Sequence, residues 1–298
     1  PVRAHAVARR DIGDEYTTLP VALQLEELAK PEHELTEGVG ATTAGRVCRP
    51  ALLPGLLQAA ARNQARGVAD VSLFEVGPQF PGSKPEDQQS VAAGIRVGKT
   101  GPRHWAAQPR GVDAYDVKAD AQAVLADLGL PADRAQIVTE APSWYHPGRS
   151  GAMRLGPMVL AVFGELHPAV LKQLGLKGRV VAFEVELDHT MGLNMKKGTF
   201  TFSPYQPVTR DMAFVVDAQT PAGDILNTVR GAGKELLKDI TLFDVYEGEN
   251  VPEGKKSLAL SITLQAIDKT LSDEDINKVV AEAAEKVAKH YGGQLRDS

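Results

Sequence analysis

Two stretches of the 298-residue chain carry candidate reactive or ligand-binding side chains. The first, WYHPGRSGAMRLG (144–156), sets His146 close to Arg149 and Ser150. A histidine near a serine suggests a base and a nucleophile. A nucleophile elbow, however, needs G-x-S-x-G between a strand and a helix, and GRSG does not supply it. His-Pro-Gly reads instead as a turn, because proline restricts the residue before it. His146, His167 and His189 are too dispersed for a metal-ligand spacing, and the single Cys48 excludes an internal disulfide or a Cys-rich zinc site. Neither phosphate-loop pattern, G-x-x-x-x-G-K-[ST] or G-x-G-x-x-G, occurs. Asp87, Glu165 and Glu184 cannot be paired by spacing, so no catalytic residue and no metal ligand is assigned.

The second stretch is PEGKKSLALSITLQAIDKTLSDEDI (252–276). Leu258, Leu260, Ile262 and Leu264 alternate with small and polar residues, the period of a strand with one buried face. The leucines and Ile262 are expected to face helices, and Ser261, Thr263 and Gln265 to face outward. An open sheet face often binds RNA by stacking bases on aromatics, but this strand has none, so an aromatic platform is not expected. A basic rim is the remaining candidate for RNA contact: Arg210, Lys234, Lys238, Lys255, Lys256, Lys269 and Arg296. The competing reading is a solvated surface, since residues 201–298 hold 11 Lys/Arg against 16 Asp/Glu.

The elements that must position these residues are of mixed type. Composition is that of an ordinary globular protein, 43% hydrophobic and 24% charged, and the length suggests about two domains. No apolar run approaches the ~20 residues of a membrane span, and PVRAHAVARR lacks the apolar core of a secretory signal. A reducing cytoplasm is the expected compartment. With a net charge of −5, nucleic-acid contact would have to come from a local patch.

Pro20–Lys30 is briefly helical in pattern, and Leu52, Leu56, Leu57 and Ala60 share a helical face that Gly67 would end. Strands are expected at 71–77, 91–97, 158–166 and 179–187, with helices at 113–129 and within HPAVLKQLG. Without a regular βαβ beat, these elements predict an α+β layer on an antiparallel sheet. Residues 190–204 read as a connector. Beyond it, strands at 211–217 and 240–246, a third strand that follows the loop EGENVPEGK and alternates over 258–265, and a short final QLR strand are interleaved with a helix from Thr220-Pro221 to about Leu237 and a helix opening at Ser272. That order is βαββαβ, the ferredoxin-like split motif. Ser272 with Asp275 makes a capping-box start, and Gly292-Gly293 a stop.

RDMAFVVD, LFDVYEGENVPEGKKSLALSITLQ and KTLSDEDIN, in that order, closely resemble the ferredoxin-fold anticodon-binding domain that ends the bacterial phenylalanyl-tRNA synthetase beta subunit. Upstream, RPALLPGLLQAAARN, LFEVG, AYDVKADAQAVL, YHPGRSG and FGELHPAVLKQL resemble that subunit's catalytic-like module, a class II synthetase fold without catalytic function. The resemblance omits roughly the first 45 residues. It implies a class II synthetase-like module over 1–195 and a ferredoxin-fold anticodon-binding domain over 204–298. The family's larger subunit also carries amino-terminal tRNA-binding, editing and metal-associated modules, none of which is visible in these residues, so the sequence is expected to be its C-terminal part.

The resemblance further implies that the intact ligase is an α2β2 heterotetramer charging tRNA(Phe) with phenylalanine, using ATP and Mg²⁺ bound mainly by the alpha subunit. The residues agree, in that no Gly-rich strand ending in Arg lies between Ala51 and Asp188. Arg49, Arg149 and Arg154 are candidates for holding the ATP phosphates of catalysis only if the fold were active. Its partners would be the alpha subunit and tRNA(Phe), with neither membrane nor DNA. The alternatives are a ferredoxin-like regulatory module for a small ligand such as an amino acid, and a self-sufficient enzyme using the His146 region.

Overall fold

A computed structural model describes residues 49–82, 84–106, 108–130, 135–191, 193 and 202–296. The expected helix at Pro20–Lys30 and most of the 190–204 connector lie outside these residues. The chain divides into two compact units, Pro1–Lys197 and Gly198–Ser298.

In the first unit α1 (Leu53–Ala65) precedes β1 (Val71–Gln79), β2 (Gln89–Val97), α2 (Ala114–Asp127), β3 (Gln136–Val138), β4 (Tyr145–Leu155), β5 (Met158–Leu166), α3 (Pro168–Gln173), β6 (Val180–Glu186) and α4 (Leu187–Met191). The strands form one sheet in the order β1-β2-β6-β5-β4-β3, antiparallel throughout. Both faces are covered. Val180 and Ala182 of β6 join Leu52, Leu56 and Leu57 at α1, while Val181, Phe183 and Val185 join Val117, Ala121 and Leu125 of α2. Burial on two sides is why VVAFEV is almost continuously apolar instead of alternating. Asp113 caps α2 in a reciprocal box with Asp116, whose carboxylate also accepts from Arg110 Nη2 at 2.7 Å. On the α1 side, the carboxylate of half-buried Glu184 accepts from Tyr145 Oη (3.0 Å) and Trp144 Nε1 (3.3 Å). Enclosure by apolar walls pushes its carboxyl above the usual range, against the opposing pull of those two donors.

One element departs from the expectation. The HPG stretch, read as a turn, lies inside strand β4. Tyr145 pairs with Leu166 and Ser150 with Gly164, so residues 146–149 face Glu165 alone across a bulge. The closure depends on Gly164, whose φ is +151° and at which a Cβ would stand 2.5 Å from Ser150 Cα. A bulge breaks the period-two pattern, which is why β4 was invisible to alternation.

The second unit runs β7 (Val208–Asp217), α5 (Ala222–Gly233), β8 (Leu237–Tyr246), β9 (Lys255–Leu264), α6 (Asp273–Tyr291) and β10 (Gln294–Leu295), with sheet order β10-β7-β9-β8. This is the expected βαββαβ path. Leu258, Leu260, Ile262 and Leu264 are fully buried against Ile225 and Val229 of α5 and Ile276, Val279, Ala283 and Val287 of α6. Ser272 caps α6, accepting from Asp275 N–H at 3.2 Å, and Gly292 ends it in the left-handed region at φ 61°.

Removing the cap in Ser272→Ala should cost about 1 kcal/mol in the unfolding of this unit. The Lys269 ammonium, then the Ser272 amide, hold the Asp275 carboxyl down at about 2. Because that value lies below the ordinary carboxylate range, the associated stability is present above that range and is lost as the pH falls towards about 2. Thermal unfolding across acidic pH should show a shallower acid limb in Asp275→Asn than in the parent chain; identical limbs would contradict the assignment.

Candidate nucleic-acid interface

Both helices of the second unit cover one side of its sheet and leave the other side uncovered by helices. Its composition follows from register. Val215, Ser257 and Tyr246 form one cross-strand row of β7, β9 and β8; Ala213, Ala259 and Asp244 form the next; Asp211, Ser261 and Thr241 follow, then Thr209, Thr263 and Asp239. The central floor is therefore built from small side chains, Ser257, Ala259, Ser261 and Ala213. Carboxylates at Asp211, Asp239 and Asp244 border it. Flat groups can approach such a floor, and its oxygens can accept base N–H donors. A phosphate chain would be repelled from it, so only bases can lie on the face while their backbone follows a rim.

β9 lacks aromatics, as expected, but the neighbouring strand does not. Tyr246 is 41% exposed in the same row as Ser257, and Phe243 stands exposed at the β8 bulge between Leu242 and Asp244. Tyr246 Oη donates to Glu249 O at 3.1 Å. Gly248 makes room for this, since a Cβ there would stand 2.7 Å from that hydroxyl oxygen. The ring is thereby tethered to the loop that follows its own strand. The sequence pattern did not mark this ring because the unit holds no Gly-Phe-rich aromatic strand motif; the signal was Tyr246 at the end of LFDVY, before a Gly-containing loop.

The seven basic residues of the expected rim do not form one patch. Lys255 lies in an open-face row opposite Asp217. Arg296 continues the β10 ladder, donating its backbone N–H to Ala213 O at 2.8 Å, which sets it in the row of Ala213, Ala259 and Asp244. Lys256 falls on the helix side, in register with buried Val216, and its Nζ donates to Ala218 O at 2.7 Å. Arg210 is also in a helix-side row, 4.0 Å from Asp273 at the start of α6. It is six register positions from Lys256, about 20 Å along the strand. Lys234 approaches Glu282 at 3.7 Å, Lys269 pairs with Asp275 at 2.7 Å, and Lys238 is exposed on the edge strand β8. Register thus unites Lys255 and Arg296 with the open face and separates Arg210 and Lys256 from it. Among the described residues, no three His, Cys, Asp or Glu side chains converge as metal ligands.

Comparison with known proteins places this geometry. Residues 41–187 match the phenylalanyl tRNA synthetase beta chain CLM domain, and residues 203–296 match the ferredoxin-fold anticodon binding domain. The class that these two matches define is that of aminoacyl-tRNA synthetase subunits. The chain is 50% identical over 255 residues to the phenylalanine–tRNA ligase beta subunit of Rhodospirillum rubrum, covering 83% of this chain and 32% of the relative. The corresponding subunits of Paramagnetospirillum magneticum and Brucella suis are 47% and 42% identical, covering 84% and 90% of this chain and 32% and 34% of theirs. The chain belongs to the phenylalanine–tRNA ligase beta-subunit family, and it spans about a third of the length of these relatives. A solved pyrrolysyl-tRNA synthetase from Desulfitobacterium hafniense aligns at TM-score 0.37 and 18% identity over 48% of each chain, a likeness too slight to bear on function.

The burial of Lys256 generates a test of its role. Lys256→Met should lower the stability of the second unit, because Ala218 O loses a charged donor, by about 1–3 kcal/mol in urea unfolding. Stability equal to that of the parent chain would leave Lys256 free for a ligand instead.

Proposed function

We propose that this chain is a noncatalytic part of a phenylalanine–tRNA ligase whose second unit binds the anticodon arm of tRNA(Phe) through a domain spanning residues 204–298. The single observation that carries the reading is the open sheet face, with its small-residue floor, its Tyr246 ring and its bordering carboxylates, in a chain of this family. An unpaired anticodon base stacks on Tyr246, and Asp244 or Asp211 accepts N–H groups from its Watson–Crick edge. Lys255 and Arg296 hold the phosphates at the rim, supplying affinity that falls with salt.

Residues 1–195 support the alpha subunit in an α2β2 assembly. The ATP- and Mg²⁺-dependent formation and transfer of phenylalanyl-adenylate is assigned to that subunit. Among those residues no helix is long and apolar enough to cross a membrane, and the proposed setting is the cytoplasm.

Filter binding of a tRNA(Phe) transcript tests the interface. Tyr246→Ala should weaken binding about 10-fold or more, the loss of a stacking contact of about 1–3 kcal/mol, while Tyr246→Phe retains most of the affinity. Asp244→Ala should chiefly reduce discrimination between cognate and altered anticodons. Lys255→Glu should lower affinity for both and flatten the salt dependence. Affinity unmoved by all three would remove the open face from the tRNA site. Co-expression with the alpha subunit tests the other half: deleting residues 204–298 should leave co-purification intact, and loss of assembly would show that the division of labour is wrong.

A further inference from the structure

The β4 bulge of the first unit builds a second polar site that anticodon binding does not use. It opens on a cavity of about 550 Å³ lined by His146, Arg149, Glu165, Lys172, Leu176 and Arg179, among others. Glu165 is at its base, with a side chain only 9% exposed. Its Oε2 accepts from Arg149 Nη1 at 2.9 Å, and its Oε1 lies 3.0 Å from Arg179 Nε. One carboxylate thus holds two guanidinium groups side by side. The arginine side chains are nevertheless 55% and 48% exposed.

Among the described residues, these contacts and a bond from Arg179 Nη1 to Val112 O (3.3 Å) leave Arg149 Nε and Nη2 and Arg179 Nη2 with unspent N–H donors. Gly148 N–H donates to His146 Nδ1 at 3.1 Å, which puts the proton of the neutral ring on Nε2 and makes that atom a further donor. Arg149, Arg179 and Lys172 against Glu165 leave a net charge of +2 around the cavity. Paired planar forks with spare donors match the oxygens of a phosphate. The bulge has the same sense, because it turns Arg149 back over Glu165 where a regular ladder would have placed a single residue.

We propose that this cleft is a phosphate-binding site, taking either a phosphate of an RNA backbone or that of a free nucleotide. Arg149 and Arg179 grip the phosphate, Glu165 sets their spacing, and the His146 ring and Lys172 add donors at the margin.

Isothermal titration calorimetry on the full chain tests this, with Tyr246→Ala as background so that the sheet face of the second unit contributes little. The probes are inorganic pyrophosphate, AMP and a tRNA transcript. Saturable binding is expected for at least one probe, weakened about 10-fold or more by Arg149→Gln and by Arg179→Gln. Arg154→Gln, on the same strand but paired with Glu140 at 3.3 Å, should leave it unchanged. Arg149→Lys, which keeps the charge, should recover part of the affinity and guards against loss through misfolding. Binding of pyrophosphate or AMP would assign the site to a free nucleotide. Binding of the transcript alone, lost in both arginine variants, would assign it to RNA. Absence of binding by all three probes, or binding indifferent to both arginine substitutions, would overturn the proposal.

Discussion

A strand presents its side chains to two faces in turn, and how many of those faces helices cover separates the two units of this protein. In the first unit α1 and α2 cover opposite faces, and strands such as β6 are apolar on both. In the second, α5 and α6 lie on one face only, and β9 buries Leu258, Leu260, Ile262 and Leu264 there. That single-sided burial fixes the register strongly, since a slip of one residue would turn every leucine to solvent. It also delivers Ser257, Ala259, Ser261 and Thr263 to the opposite face without any further device. The candidate anticodon surface is therefore a by-product of core packing, and its precision is that of the core.

Charge placement follows a similar division. The exposed carboxylates Asp211, Asp239 and Asp244 make the open face unsuitable for a polyanion laid across it but suitable for the donor edges of bases. Meanwhile Lys234 and Lys269 are engaged with Glu282 and Asp275, and Lys256 with a backbone carbonyl. A net negative domain can still bind RNA if its few uncommitted cations stand at the edge of a face that bases occupy. In the first unit the polarity is reversed. There a single buried carboxylate, Glu165, organises an excess of cationic groups around a cavity.

Much was legible in the chain itself. Period-two alternation over 258–264, the Ser272–Asp275 capping box, Gly292 as a stop and the βαββαβ order all follow from local rules, because each depends on residues within a few positions of one another. The first unit's strands β1, β2, β5 and β6 were legible for the same reason. β3 is too short for any periodicity, and β4 was hidden because its bulge inserts His146, Pro147, Gly148 and Arg149 where alternation would have been sought. The close approach that the bulge needs is supplied by Gly164 on another strand.

The candidate sites divide along the same line. The residue types, the buried face of β9 and the family that its blocks resemble can be read along the chain. Which polar residues share a surface depends on the folded arrangement. Arg210 and Lys256 are on the helix side, Lys255 and Arg296 are on the open side, and Tyr246 reaches that side from a neighbouring strand. Arg149 and Arg179, 30 positions apart in the chain, meet on Glu165. The physical reason is range: propensity and periodicity act over one turn or one strand, whereas a binding site is assembled by cross-strand register between segments that are distant in sequence.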